Sequence, residues 1–292
     1  MHTDSWQGRR VLVTGASGFI GSHTVAELVR RGAHVAATTR ALPIEIAQVS
    51  IKVDSGMETG IADFKPQCVI HLATKFMPSH TEKDISSLIE SNIEFGTRVL
   101  QVSTELGAIF LTASSHWQHF QGEIYSPISL YAATKQAFIT VAEYYKVAGL
   151  DFRELTLFDS YGINDSRQKL VSILLQAAQS AEPIEMGEGN QLIDLLYVSD
   201  TVSALLMLAD MQKNIDTTYV ARSNFPMTVR ELVSKVESVT GHEIKAQWGI
   251  REPRPREMIQ DWQFGTQLPG WKPEVSLEQG ISLCWAEVTA GG

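Results

Sequence analysis

Short apolar runs alternate along this chain with longer stretches whose apolar residues keep helical spacing. Val11-Leu12-Val13-Thr14 is such a run, and Gly15 follows it at once, as at the end of a buried strand. Between 19 and 31 the apolar positions are Ile20, Val25, Leu28 and Val29, and Gly32 stands where a helix-terminating glycine belongs. Residues 33–38, 51–53, 68–71, 109–111 and 152–158 read as further strands. Residues 85–106, with Ile85, Leu88, Ile89, Phe95, Val99 and Val102 in helical register, and residues 131–147 read as long helices. This β-α-β alternation predicts a parallel sheet covered on both faces. After about Tyr161 the pattern breaks up and Pro183, Gly187, Gly189, Pro226, Pro253 and Pro255 thicken the chain. Short strands there mix with short helices, such as 228–240, and Ala204 to Ala209 reads as the buried side of another.

The first turn carries chemistry. Thr14-Gly15-Ala16-Ser17-Gly18-Phe19-Ile20-Gly21 places glycines at 15, 18 and 21 between a strand and a helix. One glycine permits the tight turn, the next lets backbone N–H groups approach a pyrophosphate, and the last lets helix and strand pack closely. The expected fold is therefore α/β: a Rossmann-type doubly wound parallel sheet (1–162) binding a dinucleotide. A smaller C-terminal α/β substrate-binding region (163–292) is interleaved with it. The second strand ends Ala36-Ala37-Thr38-Thr39-Arg40, with no acid before Glu45 to hold ribose hydroxyls. Arg40 is suited to pair with a 2′-phosphate, with Thr38 or Thr39 donating, which favours NADP(H) and leaves NAD(H) as the alternative.

Tyr131-Ala132-Ala133-Thr134-Lys135 stacks Tyr and Lys on one helical face. A nearby ammonium is expected to lower the phenol's pKa from about 10 and fit it for proton transfer to a carbonyl oxygen. Thr112-Ala113-Ser114-Ser115 ends the preceding strand, on the side where such sheets bind ligands. Either serine hydroxyl can hold the reacting oxygen, or both can cap the turn.

The bulk numbers narrow the class. The chain has 292 residues, 44% hydrophobic and 20% charged, and a net charge of −9 that gives nucleic acid no basic face. Cys68 and Cys284 form no CxxC, consistent with a reducing compartment, and the eight histidines show no ligand spacing. MHTDSWQGRR has no apolar core of a signal peptide, and no run approaches a membrane span. The expectation is a cytoplasmic enzyme with no nucleic-acid or membrane partner. The sequon at Asn164-Asp165-Ser166 is then read as chance.

Together TGASGFIG (14–21), VIHLA (69–73), Asn92…Gly96-Thr97, YAATK (131–135), FDSYG (158–162), YVSD (197–200) and WKPEVSLEQGI (271–281) resemble the extended short-chain dehydrogenase/reductase family, in its epimerase/dehydratase branch. The resemblance spans nearly the whole chain. It implies Tyr131 as acid/base, Lys135 holding the ribose, and Ser115, one residue from Ser114, on the reacting oxygen. It also implies Gly15, Ser17, Gly18, Phe19, Ile20, Gly21, Thr39 and Arg40 on the cofactor, Asp54 at the adenine, and Leu72, Ala73 and Thr74 beside the nicotinamide ribose. His116 and Trp117 stand where dehydratases carry an Asp-Glu pair, so dehydration is not expected. His116 can contact substrate or pack, and Trp117 can stack on a sugar or join the core. His119 is assigned to the loop alone. Relatives place an Arg before Asp194 to hold a diphosphate, whereas this chain has Ile193. Arg254 resembles the family's other arginine, with Arg167, Lys169 and Arg222 as helpers, and each is otherwise a solvated charge. The stretch SSHWQHF…YSPISLYAATKQAF is similar to reductases of nucleotide-linked 4-keto-6-deoxyhexoses of the CDP-abequose and CDP-paratose synthase kind. Such a reductase acts on a nucleotide-sugar substrate. The alternatives are a 4-epimerase with tightly bound NAD and a non-catalytic NAD(P)-binding sensor, against which the Ser/Tyr/Lys set argues. Surplus apolar residues on helices 85–106 and 131–147, which relatives pair into an interface, predict a homodimer.

Overall fold

The structure is a computed structural model that describes residues 5–40, 45–212, 218–259, 262–263 and 265–290. The first four residues of the N-terminal stretch thus lie outside the described residues, as do residues 41–44 after Arg40.

Eight parallel strands form the main sheet. β1 (Arg10–Thr14), β2 (His34–Thr39), β3 (Val49–Lys52), β4 (Cys68–His71), β5 (Ile109–Ser115) and β6 (Asp151–Leu157) are joined by strands Tyr219–Ala221 and Thr266–Gln267. The spatial order is β3-β2-β1-β4-β5-β6, then Tyr219–Ala221, then Thr266–Gln267, so the chain reverses direction across the sheet between β1 and β4. In open sheets of this kind the crevice outside the carboxyl ends of the two strands at the reversal is the ligand site. Here those ends are Thr14 and His71, paired in register.

Helices cover both faces. α1 (Phe19–Arg30) lies on one, while α2 (Met57–Phe64) and α3 (Ile85–Ile89) come before α4 (Phe95–Leu106) and α5 (Leu130–Val147). Val13, Val25, Leu28, Val35 and Ile70 form the core on the α1 face, and Leu12, Val69, Val99, Phe110 and Phe138 the core on the other. Truncating a buried Phe such as Phe110 would cost about 3–5 kcal/mol. The 85–106 helix is present but carries a π-turn at Glu90–Glu94, which bends the register at Asn92. β5 is longer than its apolar run predicts, because Thr112–Ser115 continue the ladder to β6. α2 escaped the periodicity because it is only eight residues long.

The chain then leaves the sheet. β7 (Asp159–Tyr161) pairs not with β5 but with Leu195–Tyr197 in a two-stranded sheet. α6 (Leu170–Ser180), α8 (Val229–Thr240) and α9 (Leu277–Ala290) build a separate core around Leu174, Leu232, Val236 and Ile281. α7 (Val198–Asp210) instead returns to the α1 face, where Val202, Leu205 and Leu208 are buried. Its C-terminal carbonyls are capped by the buried Arg153, which donates to Leu208 and Met211 at 2.7 and 2.8 Å and pairs with Asp151 at 2.9 Å. The C-terminal region is thus interleaved with the sheet in both strands and helices.

Candidate active site

Gly15 has φ +69°, and a Cβ there would sit 2.6 Å from the Ala73 nitrogen and 2.7 Å from the Leu72 carbonyl carbon. A side chain would therefore block both the turn and the approach of the loop after β4. A Cβ on Gly21 would run into the carbonyl oxygen of Gly15, so the helix can close on the loop only with glycine. α1 starts at Gly18 with no side-chain cap and no acid in its first turn, which leaves its leading N–H groups without a side-chain partner. Gly15, Gly18 and Gly21 border a cavity of about 200 Å³. A bare helix N-terminus behind a close-fitting glycine turn suits a dinucleotide pyrophosphate.

The floor beside this loop is tied by hydrogen bonds. The Thr14 hydroxyl accepts from the Ala73 N–H at 3.2 Å and shares a hydrogen bond with His71 Nδ1 at 2.9 Å. His71 is buried among Phe95, Phe110 and Phe138, and burial, with the Lys135 charge, pushes its pKa down to about 3. Asn92, carried inward by the π-turn, accepts from Thr74 at 3.1 Å and the Lys75 N–H at 2.6 Å. It donates to Lys75 O and the Thr134 hydroxyl at 3.2 and 2.9 Å. It thus joins the loop after β4 to α5. An Asn on the apolar side of a helix was the sequence signal for this role.

The other wall of the cavity holds Tyr131 and Lys135. Ser129 caps α5 by accepting from the Ala132 N–H at 3.2 Å, which places Tyr131 in the first turn. Phe76 and Trp117 meet the Tyr131 ring edge-on at 5.0 and 6.3 Å. Burial pushes the phenol up to about 12, with Arg167 opposing and Asp159 adding to the rise. Burial also brings Lys135 down to about 8, against the pull of Glu154. The expectation that Lys135 lowers the Tyr131 pKa is therefore corrected. Burial outweighs neighbouring charge here, and Arg167 is the cation that acts on the phenol.

The two serines part company across the strand. Ser114 is buried and shares a 2.9 Å hydrogen bond with Thr156. Ser115 is half-buried on the cavity wall, its hydroxyl accepting from the Trp117 N–H at 3.3 Å and its own N–H donating to Gln118 at 2.9 Å. His116 stacks on Phe158 at 4.8 Å, with Nε2 3.6 Å from Asp159, and Lys169 approaches the same carboxylate at 3.6 Å. Arg167 lies over the Phe19 ring at 4.3 Å and donates to Ser160 O at 3.3 Å. Sequence reading gave Asp159 and Phe76 no role. For Asp159 the available signal was its place at the carboxyl end of a sheet strand.

A family model described as NAD dependent epimerase/dehydratase matches residues 11–221. The chain belongs to the NAD dependent epimerase/dehydratase family. CDP-abequose synthase of Yersinia pseudotuberculosis is 24% identical, over 87% of this chain and 93% of its own. Probable GDP-L-fucose synthase 1 of Oryza sativa subsp. japonica is 26% identical, over 94% and 90%. Among solved structures, MoeE5 in complex with UDP-glucose and NAD superposes with a TM-score of 0.82 at 25% identity, covering 96% of this chain and 99% of that one. The Thermus thermophilus UDP-glucose 4-epimerase complex with NAD gives 0.82 at 25%, covering 97% and 100%.

The remaining residues expected from the family pattern fall in different places. Leu72 and Thr74 border the cavity, with Ala73 between them, while Ser17 is the exposed tip of the glycine loop. Thr39 is half-buried and Arg40 exposed where β2 ends. Asp54 is exposed after β3, one carboxylate oxygen accepting from the Gly56 N–H at 2.8 Å. Arg254 is exposed and off the cavity wall, its carbonyl closing a turn with the Glu257 N–H. Arg222 donates to Trp262 O and Asn224 at 2.9 Å each. Ile193 pairs with Met227, away from the cavity, and Asp194 accepts the N–H groups of Ser223 and Asn224. Of the expected basic residues, Arg167 and Lys169 border the cavity, and Arg254 and Arg222 do not.

Proposed function

We propose that this protein is an NADPH-dependent reductase of a nucleotide-linked 4-keto-6-deoxy sugar. The observation that carries the reading is one cavity with the glycine loop at one end and Tyr131, Ser115 and Lys135 at the other. His116 and Trp117 occupy the positions where a dehydratase pair of carboxylates would be needed. The likeness to CDP-abequose synthases supports the same choice.

In this reading a bound nicotinamide supplies the hydride to C4. Ser115 donates a hydrogen bond to the keto oxygen, and Tyr131 gives its phenol proton to that oxygen as it becomes an alkoxide. A phenol held near 12 stays protonated across the physiological range, which suits an acid. Lys135 holds the nicotinamide ribose, and the Arg167 charge stabilises the phenolate left behind. Arg167 and Lys169 add positive charge for the diphosphate of the substrate. Arg40, with Thr39, takes a 2′-phosphate, and Asp54 reaches the adenine.

The test is NADPH consumption with a panel of 4-keto-6-deoxy nucleotide sugars. Turnover is expected, and Tyr131→Phe should lower it by about 10²–10⁴-fold. No turnover with any member, or near-wild-type rates in Tyr131→Phe, would refute the reading. A second reading, 4-epimerisation with retained NAD, has the support of the MoeE5 and Thermus complexes. Protein that purifies with NAD in place and converts a nucleotide sugar without added cofactor would favour it. We further propose a cytoplasmic homodimer. Cys68 and Cys284 are buried and free, and Ile85, Ile89, Tyr144 and Val147 leave apolar surface on α3 and α5. Among the described residues no helix is long and apolar enough to cross a membrane.

A further inference from the structure

Ser115 stands at the end of β5 and Tyr131 in the first turn of α5, and in a ketone reduction both hydroxyls have to reach one carbonyl oxygen. Two separate elements must therefore keep their spacing, and a misplacement of about 1 Å can cost on the order of a hundredfold in rate. A tie between them runs through neither hydroxyl. The stretch Ser115-His116-Trp117-Gln118 closes on itself as a capping box over a single 3₁₀ turn, His116–Gln118. The Gln118 side-chain oxygen accepts from the Ser115 N–H at 2.9 Å. The Ser115 hydroxyl oxygen accepts from the Trp117 N–H at 3.3 Å, so its own proton is free for another acceptor.

Gln118 is 1% exposed, and a buried amide is costly unless its polar atoms are used. Its nitrogen reaches the other element: Nε2 donates to Gln136 Oε1 at 2.7 Å. The orientation is forced by chemistry. The Ser115 N–H only donates, so the Gln118 oxygen must face it; the nitrogen then faces Gln136, which must present its own oxygen. Gln136 directly follows Lys135 on α5. From its other side the turn is held by the Ser126 N–H, which donates to the Gln118 carbonyl at 2.7 Å, and by the Ile128 N–H, which donates to the Trp117 carbonyl at 3.0 Å. Gln118 itself is not on the cavity wall.

We propose that Gln118 is a positioning residue: with Gln136 it forms a buried amide bridge from the end of β5 to α5 that sets the Ser115 hydroxyl against Tyr131. The inference rests on the keto-sugar reductase reading above. Met at 118 would fill nearly the same volume and leave the Ser115 N–H and the Gln136 oxygen without their partner. Its cost to the chemistry should then appear only where a Ser115 hydroxyl is present to be misplaced.

The experiment is a double-mutant cycle on NADPH-dependent reduction of a nucleotide-linked 4-keto-6-deoxy sugar. Gln118→Met should lower kcat by about tenfold to a hundredfold and change KM for the sugar by less, because the bridge orients a reacting group and does not bind substrate. In a Ser115→Ala background the same substitution should cost no more than about twofold further, the scatter within which independent sites add. Gln118→Glu still accepts from the Ser115 N–H, and Gln136 can turn its amide nitrogen toward it, so this variant should recover most of the wild-type kcat. Loss of packing alone would lower both backgrounds alike and would not be repaired by Glu. A cooperative thermal melt establishes that each variant is folded, and Gln136→Met, which cuts the bridge from the α5 side, carries the cycle should Gln118→Met fail that check. Equal losses with and without the Ser115 hydroxyl, or a wild-type kcat in Gln118→Met, overturn the inference and leave the reductase reading standing. If the wild type reduces no keto sugar, that reading fails and takes this inference with it.

Discussion

Replacing Lys135 with Met should make the folded protein more stable at neutral pH while impairing any chemistry at Tyr131. Lys135 is 7% exposed, and burial lowers its pKa from 10.5 to about 8. At about 1.4 kcal/mol per pKa unit, carrying this proton in the folded state costs roughly 3 kcal/mol below pH 8. The sign follows from proton counts. Between about pH 8 and the unfolded value near 10.4 the unfolded chain binds more protons, so wild-type stability rises with pH across that window. Lys135→Met removes the cost, and a linear apolar side chain fills most of the same volume. Glu154 offsets part of the gain, because it loses the cation that draws its raised pKa back down. A net gain of roughly 2 kcal/mol at pH 7 remains, or about 4–8 °C in Tm for a chain of this size. Calorimetric melts of both proteins from pH 6.5 to 10.5 would measure it, and the gap should shrink steadily above pH 8. A lower Tm in the variant at pH 7 would refute the reasoning. So would a gap that persists at pH 10.5, since the gain would then come from packing and not from a desolvated charge.

Gly21→Ala should weaken dinucleotide binding about tenfold or more by calorimetric titration, because its Cβ meets the Gly15 carbonyl and overpacking of this kind costs about 1–3 kcal/mol. Unchanged affinity would show that the loop opens at no cost. Arg40→Ala should reduce NADPH affinity by about tenfold to a hundredfold and leave NADH affinity unchanged, and equal affinities in the wild type would remove the preference. Sedimentation at micromolar concentration should give a dimer that Val147→Glu, at a site 90% exposed, converts to monomer. A wild-type monomer would sink that expectation.

The sheet was legible because its signals are local. β1, β4 and β5 carry continuous apolar runs, at 11–13, 68–70 and 109–111, since both of their faces are covered, and the glycine spacing at 15, 18 and 21 answers to contacts within a few residues or with the neighbouring strand. Tyr131 and Lys135 were legible for the same reason, being one helical turn apart. The charges around them were not. Arg167 bears on Tyr131 from 36 positions later in the chain, and Asp159 becomes a cavity residue only because the strand holding it leaves the sheet. The phenol's raised pKa could not be read from YAATK either, because it arises from Phe76, Trp117 and the surrounding burial. Arg254 holds its position in the motif, and the turn that carries it leaves it exposed and off the cavity wall, which the motif alone does not show.

The exit of the chain from the sheet at Phe158 explains why the site's groups belong together. A strand in mid-sheet spends its carbonyls on its neighbours. At the end of β6 that pairing stops, and the Leu157 carbonyl accepts from His116; in β7 the Ser160 carbonyl accepts from Arg167. Two side chains, one from the end of β5 and one from the loop before α6, are thus oriented by backbone groups that the change of sheet sets free. The same change turns Asp159 onto the cavity wall and lets Phe158 stack between His116 and, at 6.3 Å, Trp262. It also joins the two cores, since β7 leads to Gly162, where a Cβ would strike Val198 at the start of α7. Substitutions here should consequently move stability and site geometry together, whereas substitutions in the glycine loop should act on ligand affinity first. The two halves of the cavity are built by different physics. One is a backbone turn that excludes side chains, and the other is a strand end whose unpaired carbonyls recruit them.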